Sequence, residues 1–342
     1  MKNMNQMKGV LATLCAACAV LLAGSCTREP LAEGDGGRST VSFVVGSQTR
    51  ASVTPHEGEV TSLDVLVFRS GNGVLDNGAR VEGAGVDRIS VELTAGVALR
   101  WYVVANAPRG LLSYVSESAF LEGLTLLTHG TESSLVMLGN GSLPEGPVAE
   151  SVQVALDRYA CKVTVETVTV EWADAFSMAS SVTLGRIALV NVVGSTPWSG
   201  IPAAGELWYN RMGVESGLPA NVADMTVKDY EGRTLQEGVA ADVASPLYCM
   251  PNPVANDVNS ANAPEWSPRS TRVAVEVLLD GKANWYPVDL PAMRCNTHYV
   301  IRSLVLTGPG SQGPDWPVER DDVRFSVSVE PWMDGDIVPV FQ

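Results

Sequence analysis

One short segment near the N-terminus reads Ser-Thr-Val-Ser-Phe-Val-Val over residues 39–45. Its apolar residues alternate with period two, so Val41, Phe43 and Val45 are predicted to share one face of a β-strand. A strand with one apolar face needs a second layer to cover that face. The segment therefore predicts the first strand of a β-sandwich.

The segment that follows this strand is small and polar, and it contains a single basic residue, Arg50. Exposed segments of this kind are preferred sites of proteolysis. A trypsin-like protease that cut between Arg50 and Ala51 would separate the first strand from the body of the chain. The alternative is that Arg50 is an ordinary loop arginine, as we expect Arg38 to be.

The extreme N-terminus has the features of an export signal. Lys2 and Lys8 precede an apolar run of 13 residues, 10–22, which is too short to span a membrane. We therefore predict a signal peptide over residues 1–25. The run ends in Leu-Ala-Gly-Ser-Cys, which resembles a bacterial lipobox and predicts that Cys26 is acylated, for example with palmitate. Cleavage by the general signal peptidase, without lipid, is the alternative.

Strand patterns recur along the rest of the chain with turn residues between them, which favours an all-β fold. The clearest runs are residues 61–68, 88–93, 99–105, 161–170, 272–279 and 325–330. The apolar phase shifts at Glu166 and Thr167, which predicts a β-bulge. Residues 111–127 have the best helical pattern, and residues 194–242 are predicted to form long loops.

Length and composition set the domain count and exclude some partners. A chain of 342 residues suggests two domains, and we place the division between residues 156 and 157. The formal charge is −15, and losing Lys2 and Lys8 with the signal would make it −17. This acidity argues against nucleic acid as a partner. The cysteines beyond residue 26 are Cys161, Cys249 and Cys295, of which at most one pair could form a disulfide, and free thiols are favoured.

The order of several short motifs is similar to that of the fimbrillins, the major fimbrial subunit family of Bacteroides-type bacteria. The motifs are residues 65–68, 102–107, 157–163, 247–252, 295–300, 304–310 and 327–332, and they cover nearly the whole chain. The resemblance implies two transthyretin-like β-sandwiches in tandem. Residues 51–156 would form the N-terminal sandwich and residues 157–342 the C-terminal one.

The resemblance also implies a mode of assembly. The lipidated segment, residues 26–50, would be removed with its strand after Arg50, and the vacated groove would accept a C-terminal strand of a neighbouring subunit. The donor strand is expected in one of the last two strand-like runs, whose apolar residues are Phe325, Val327, Val329, Trp332, Ile337, Val340 and Phe341. Pro339 interrupts the second run, since proline cannot donate to a ladder.

The function that this resemblance implies is a structural subunit of a cell-surface fimbrium, first an outer-membrane lipoprotein and then extracellular. Its partners would be other copies or related fimbrial subunits, an Arg-specific processing protease, and surface ligands of host or bacterial cells. The alternatives are a fimbrial tip adhesin, an anchor subunit, or a surface glycan-binding lipoprotein.

Enzymatic and cofactor chemistry are not predicted. The three histidines, His56, His129 and His298, lie in separate segments without the spacing of a metal site. We therefore expect no catalytic residue, no metal and no cofactor. The tryptophans that could line a sugar-binding patch are Trp198, Trp208, Trp266 and Trp316, although packing roles are favoured for them.

Overall fold

The structure is a computed structural model of the chain. It describes residues 37–46, 57–146, 150–173, 179–200, 207–211, 224–255, 268–314, 316 and 322–332. Among the helices of these residues, none is long and apolar enough to cross a membrane.

The first half of the described chain contains nine strands and one short α-helix. The strands are β1 (Arg38–Val45), β2 (Ser62–Arg69), β3 (Leu75–Glu82), β4 (Arg88–Thr94), β5 (Leu99–Ala105), β6 (Leu124–Leu126), β7 (Met137–Leu143), β8 (Ser151–Val154) and β9 (Asp157–Arg158). The helix is α1 (Glu117–Glu122), with 3-10 turns at Leu111–Ser113 and Leu127–His129.

The second half contains eleven strands. They are β10 (Cys161–Val170), β11 (Val182–Val190), β12 (Val192–Val193), β13 (Ser195–Pro197), β14 (Trp208–Tyr209), β15 (Val227–Thr234), β16 (Ala241–Cys249), β17 (Arg272–Leu279), β18 (Lys282–Asp289), β19 (Thr297–Leu306) and β20 (Val323–Pro331). A 3-10 turn at Asp224–Thr226 precedes β15.

The strands of the first half other than β6 form a sandwich of two sheets. One sheet has the order β4-β1-β8 and the other the order β3-β2-β5-β7-β9. A single apolar core lies between them, to which β1 contributes Phe43, β4 contributes Val91 and β5 contributes Trp101. β1 and β4 alternate, because only one face of each strand meets this core.

Eight strands of the second half form another sandwich, with sheet orders β16-β10-β19-β20 and β15-β11-β17-β18. Its core includes Val163 of β10, Ile301 of β19 and Val275 of β17. The same core continues to the outer face of the five-stranded sheet, where it includes Phe68 and Val104. That sheet is therefore buried on both faces, which explains why β2 is apolar almost throughout.

The all-β class predicted from the sequence is confirmed. The expected bulge is also confirmed, since the pairing of β10 with β16 shifts register between Val165 and Thr167. A turn joins β2 to β3 as an antiparallel pair, and β5 lies between β2 and β7. The division between residues 156 and 157 remains a prediction. The chain passes from β9, in the N-terminal sheet, to β10, in the C-terminal sheet.

Two local expectations are wrong. The helix expected over residues 111–127 is limited to Glu117–Glu122. It ends at Gly123, whose backbone is extended, and β6 then pairs with β13. The predicted long loops include the strand β15, which pairs with β11. Its side chains are mostly polar and exposed, so hydrogen bonds rather than apolar burial hold it, and no alternation marks it in the sequence.

Candidate functional site: the first strand and its groove

The first strand occupies the centre of its sheet. β1 pairs with β4 in antiparallel orientation, with Phe43 opposite Ile89, and with β8 in parallel orientation, with Val45 opposite Val154. Among the described strands of that sheet, β1 is the only link between β4 and β8. Removing β1 would therefore leave two strands without the partner that joins them.

The inward face of β1 fills the middle of the N-terminal core. Val41 and Phe43 are fully buried, and Val45 is nearly so. The ring of Phe43 lies 5.4 Å from the ring of Trp101 across the sandwich. Position 141 must be glycine here, because a Cβ would lie 2.5 Å from the indole of Trp101. Burying three such side chains contributes about 5–9 kcal/mol before entropy costs.

The backbone of β1 is hydrogen-bonded along both edges. The N–H of Ser42 donates to the carbonyl of Glu150 at 2.9 Å, and the N–H of Val45 donates to the carbonyl of Asp87 at 2.9 Å. An empty groove in this place would present two rows of unpaired backbone groups and an apolar floor. Both features are satisfied by a strand with apolar residues at every second position.

The residues expected around the cleavage point lie outside the described residues. They are Cys26, Arg50 and Ala51. On the far side of that gap, the described chain resumes at Glu57, which is buried. Lipidation and processing remain predictions.

The last described strand is placed very differently from β1. Among the described strands, β20 lies at the edge of its sheet, and it pairs antiparallel with β19. Phe325 and Val329 are 43% and 56% exposed, and Val327 is half-buried. Ile337, Val340 and Phe341 lie outside the described residues. The donor role of either run remains a prediction.

Trp332 ends the described chain in a buried polar cluster that the sequence did not indicate. Its indole Nε1–H lies 3.3 Å from the carboxylate of Glu57 and donates to it, and its ring stacks on Tyr248 with 5.9 Å between centroids. The same carboxylate contacts Lys162 at 2.7 Å and accepts from the hydroxyl of Tyr248 at 2.5 Å. We call Glu57, Lys162, Tyr248 and Trp332 the Glu57 cluster.

The cluster places the carboxylate of Glu57 against the ammonium of Lys162 and against two neutral hydrogen-bond donors. Burial, followed by the Glu57 carboxylate, raises the pKa of Tyr248 well above its ordinary value, so its hydroxyl remains a donor. The guanidinium of Arg158 lies 4.7 Å from the centre of the Trp332 ring. Since cations attract aromatic faces, Arg158 adds to the interactions that hold Trp332.

The described residues also bear on two other kinds of site, a metal site and a sugar-binding patch. No group of three His, Cys, Asp or Glu within them could hold a metal ion. Trp198 and Trp208 are buried, which agrees with the favoured packing role and leaves neither of these two residues available to a sugar-binding patch. Trp198 stacks on Phe120 at 5.7 Å, and its carbonyl accepts from the hydroxyl of Tyr159. Trp316 is half-buried, and Trp266 lies outside the described residues.

Comparison with known proteins bears on the same region of the chain. The family model described as the major fimbrial subunit protein (FimA) matches residues 39–152, from β1 to β8. The fimbrillin resemblance is confirmed. The matched family is one of fimbrial structural subunits. No curated protein matches the chain.

Solved structures extend the likeness over most of the chain. A fimbrilin from Porphyromonas gingivalis is 18% identical with a TM-score of 0.58, covering 87% of this chain and 98% of that one. A candidate cell adhesion protein from Bacteroides eggerthii is 18% identical with a TM-score of 0.61, covering 87% and 97%. The tip fimbrial protein Mfa3 from Porphyromonas gingivalis is 17% identical with a TM-score of 0.50, covering 86% and 100%. At these identities the likeness establishes the shared fold.

Proposed function

We propose that this chain is a polymerising structural subunit of a cell-surface fimbrium. It is exported as a lipoprotein acylated on Cys26, cleaved after Arg50, and joined to its neighbours by donor-strand exchange. The single observation that carries the proposal is the position of β1, which is central in its sheet and buried on its inward face. A strand so placed cannot leave without creating a groove that needs a replacement.

The energetics of exchange favour a replacement over an open groove. A donor that inserts three to five apolar side chains would regain on the order of 5–15 kcal/mol before entropy costs. That is enough for contacts that dissociate slowly. Donor and groove belong to different parts of the chain, so the contact is heterologous and can repeat without closing. Filaments follow from this arrangement, and adhesion to surface ligands would be their use.

The proposed donor is the C-terminal region. Residues 333–342 follow Trp332 directly. The alternative donor is β20, which among the described strands is paired along one edge only, with β19. If residues 333–342 are the donor, the Glu57 cluster would fix the point from which the donor leaves the domain. An edge position makes β20 cheaper to detach than any central strand, because fewer hydrogen bonds and apolar contacts are lost.

Processing is tested by replacing the arginine at the proposed cut. Arg50→Ala in the exported full-length chain is expected to block both cleavage and filament formation, as seen by N-terminal sequencing and electron microscopy. Arg38→Ala is the matched control, since Arg38 lies at the exposed start of β1. Filaments of uncleaved Arg50→Ala protein, or a mature N-terminus other than Ala51, would contradict the proposal.

The donor is tested by truncation. A chain ending at Trp332 keeps every described strand, so we expect it to fold, to be cleaved after Arg50 and to remain monomeric. Normal filaments from this chain would exclude residues 333–342 as the donor and leave β20 as the candidate.

A tip or anchor subunit is the second candidate function, since the likeness extends to a tip fimbrial protein. A tip subunit would cap filaments of another subunit and would not polymerise alone. Electron microscopy of the purified, protease-treated protein separates the two, because only a shaft subunit forms long filaments by itself.

A further inference from the structure

Two of the three cysteines beyond residue 26 face each other across a ladder. Cys161 begins β10 and Cys249 ends β16, and the two are directly opposed in the antiparallel pairing. Residues opposed in this way point to the same face, with Cα atoms about 4.5–5.5 Å apart. A disulfide needs a Cα separation of about 4.4–6.8 Å. The backbone therefore already has the spacing that a disulfide requires.

The side chains of this pair converge in the core. Both thiols are fully buried. The Sγ–H of Cys161 donates to the carbonyl of Arg294 at 3.0 Å, and the Sγ of Cys249 lies 3.7 Å from the Sδ of Met293. Since Met293 and Arg294 are consecutive residues, the two sulfurs lie against the same short segment.

Cys295 is close to this pair but is placed differently. It is half-buried and precedes β19, which lies on the side of β10 away from β16. The parallel ladder between β10 and β19 runs from Lys162 opposite His298, so Cys295 lies outside it. It has no directly opposed cysteine among the described strands.

We propose that the exported protein carries a disulfide between Cys161 and Cys249, which joins β10 to β16. Export is part of the proposed function, and the inference depends on it because disulfides form outside the reducing cytoplasm. Cys295 stays a thiol in this assignment.

The bond forms by exchange with an oxidant that is itself a disulfide, either a thiol–disulfide oxidoreductase or a small-molecule disulfide. The thiolate of one cysteine attacks a sulfur of the oxidant and releases one oxidant thiol. The thiolate of the other cysteine then displaces the second oxidant thiol and leaves the Cys161–Cys249 bond. Two protons and two electrons pass to the oxidant, which becomes a dithiol or two thiols.

The timing follows from burial. Burial, with Cys249 beside it, raises the pKa of Cys161 well above its ordinary value, so the folded thiol is a poor nucleophile. Oxidation therefore takes place before the C-terminal core closes. A protein that folds reduced in the cytoplasm stays reduced.

The bond would brace the strands that hold the Glu57 cluster. On the next rung of the same ladder, Lys162 is opposed to Tyr248, and both side chains contact Glu57. The disulfide would thus fix the spacing of the two strands on which Trp332 packs. The closed loop is long, and long loops give the largest entropic gain in chain-entropy models of disulfides.

Sequential alkylation of the exported full-length protein tests the assignment. Free thiols are blocked with iodoacetamide under denaturing conditions, disulfides are reduced, and the new thiols are labelled with N-ethylmaleimide. The three cysteines fall in separate tryptic peptides, residues 159–162, 234–269 and 295–302, so mass spectrometry reads each one. We expect the second label on Cys161 and Cys249 and the first on Cys295.

The first label on Cys161 and Cys249, or a second label on Cys295 in the wild type, would overturn the assignment. Cys295→Ser is the matched control and is expected to leave the labelling of the other two unchanged. Arg50→Ala separates this proposal from assembly, because it should keep the disulfide while filaments are lost. A chain without residues 1–25, kept in the cytoplasm, should carry only the first label.

Discussion

The first and last described strands have similar sequences and opposite surroundings. Both alternate apolar and polar residues, yet β1 is bonded on both edges and buries Phe43 completely, whereas β20 is bonded on one edge and leaves Phe325 43% exposed. The difference shows which strand the fold depends on and which it can release. A groove left by β1 needs a replacement strand, and an edge strand costs less free energy to detach than a central strand.

The largest expected effect is found by comparing alanine substitutions of Phe43 and Phe325. Phe43→Ala in the uncleaved protein should lower the free energy of unfolding by about 3–5 kcal/mol, because it leaves a cavity beside Trp101. Phe325→Ala, the matched change on β20, should cost less than about 1 kcal/mol because the side chain is already half in water. Urea unfolding measures both.

The same two variants also test the proposed donor-strand exchange. If β1 leaves on cleavage, Phe43→Ala should have no effect on the stability of assembled filaments. Equal losses of unfolding free energy in the two uncleaved variants would mean that Phe43 and Phe325 contribute equally to stability, despite their different burial. A filament weakened by Phe43→Ala would mean that β1 stays in place.

A second prediction concerns the buried carboxylate that joins the two ends of the described chain. Glu57→Gln should lower the free energy of unfolding by about 1–3 kcal/mol, because Lys162 loses its charged partner in a buried place. Glu59→Gln is the control, since Glu59 is exposed two residues away. Thermal or urea unfolding of both variants measures the difference, and equal stabilities would contradict a stabilising role for the cluster.

A third prediction uses pH to separate the two sandwiches. Burial raises the pKa of Asp64, on β2, from 3.8 to about 6, against the opposing charge of Arg80. Its contribution to stability is therefore present below about pH 4 and lost as pH rises through 6. Burial lowers the pKa of His298, on β19, from 6.5 to about 4. Its contribution is present above about pH 6.5 and lost as pH falls through 4.

The two groups thus have opposite pH dependence between pH 4 and 6. Asp64→Asn should flatten the loss of stability on raising the pH through that window, and His298→Gln should flatten the loss on lowering it. Urea unfolding at pH 4.5, 5.5 and 7 measures the slopes. If a variant has the same dependence of unfolding free energy on pH as the wild type, burial does not shift the pKa of the replaced group as stated.

The smallest expected effect lies on the exposed face of the last strand. Val329→Thr should change the free energy of unfolding by no more than about 0.5 kcal/mol, because more than half of the side chain is in solvent. Filament formation tells the two candidate donors apart. If β20 is donated, Val329→Thr should weaken the filament, and if residues 333–342 are donated, it should not.

The pattern of β1 was predictable because period two fixes which side chains share a face. Its central position was not, since it depends on a parallel pairing with β8, more than 100 residues away in sequence. The bulge in β10 was visible as a change of apolar phase. The polar edge strand β15 had no such signal, because hydrogen bonds alone leave no periodicity in the residues.

The Glu57 cluster shows another limit of sequence reading. Glu57 and Trp332 are separated by 275 residues, and Lys162 and Tyr248 lie between them without any recognisable spacing. Only the fold brings them together. The opposed pair Cys161 and Cys249 was equally hidden, since three cysteines allow three pairings until the ladder selects one.

The groove between β4 and β8 is proposed to be refilled by another copy of the chain. A cryo-electron microscopy structure of filaments formed after cleavage at Arg50 tests this exchange directly. We predict that the strand between β4 and β8 comes from the C-terminal region of a neighbouring subunit. Density for residues 38–45 of the same subunit in that place would contradict it.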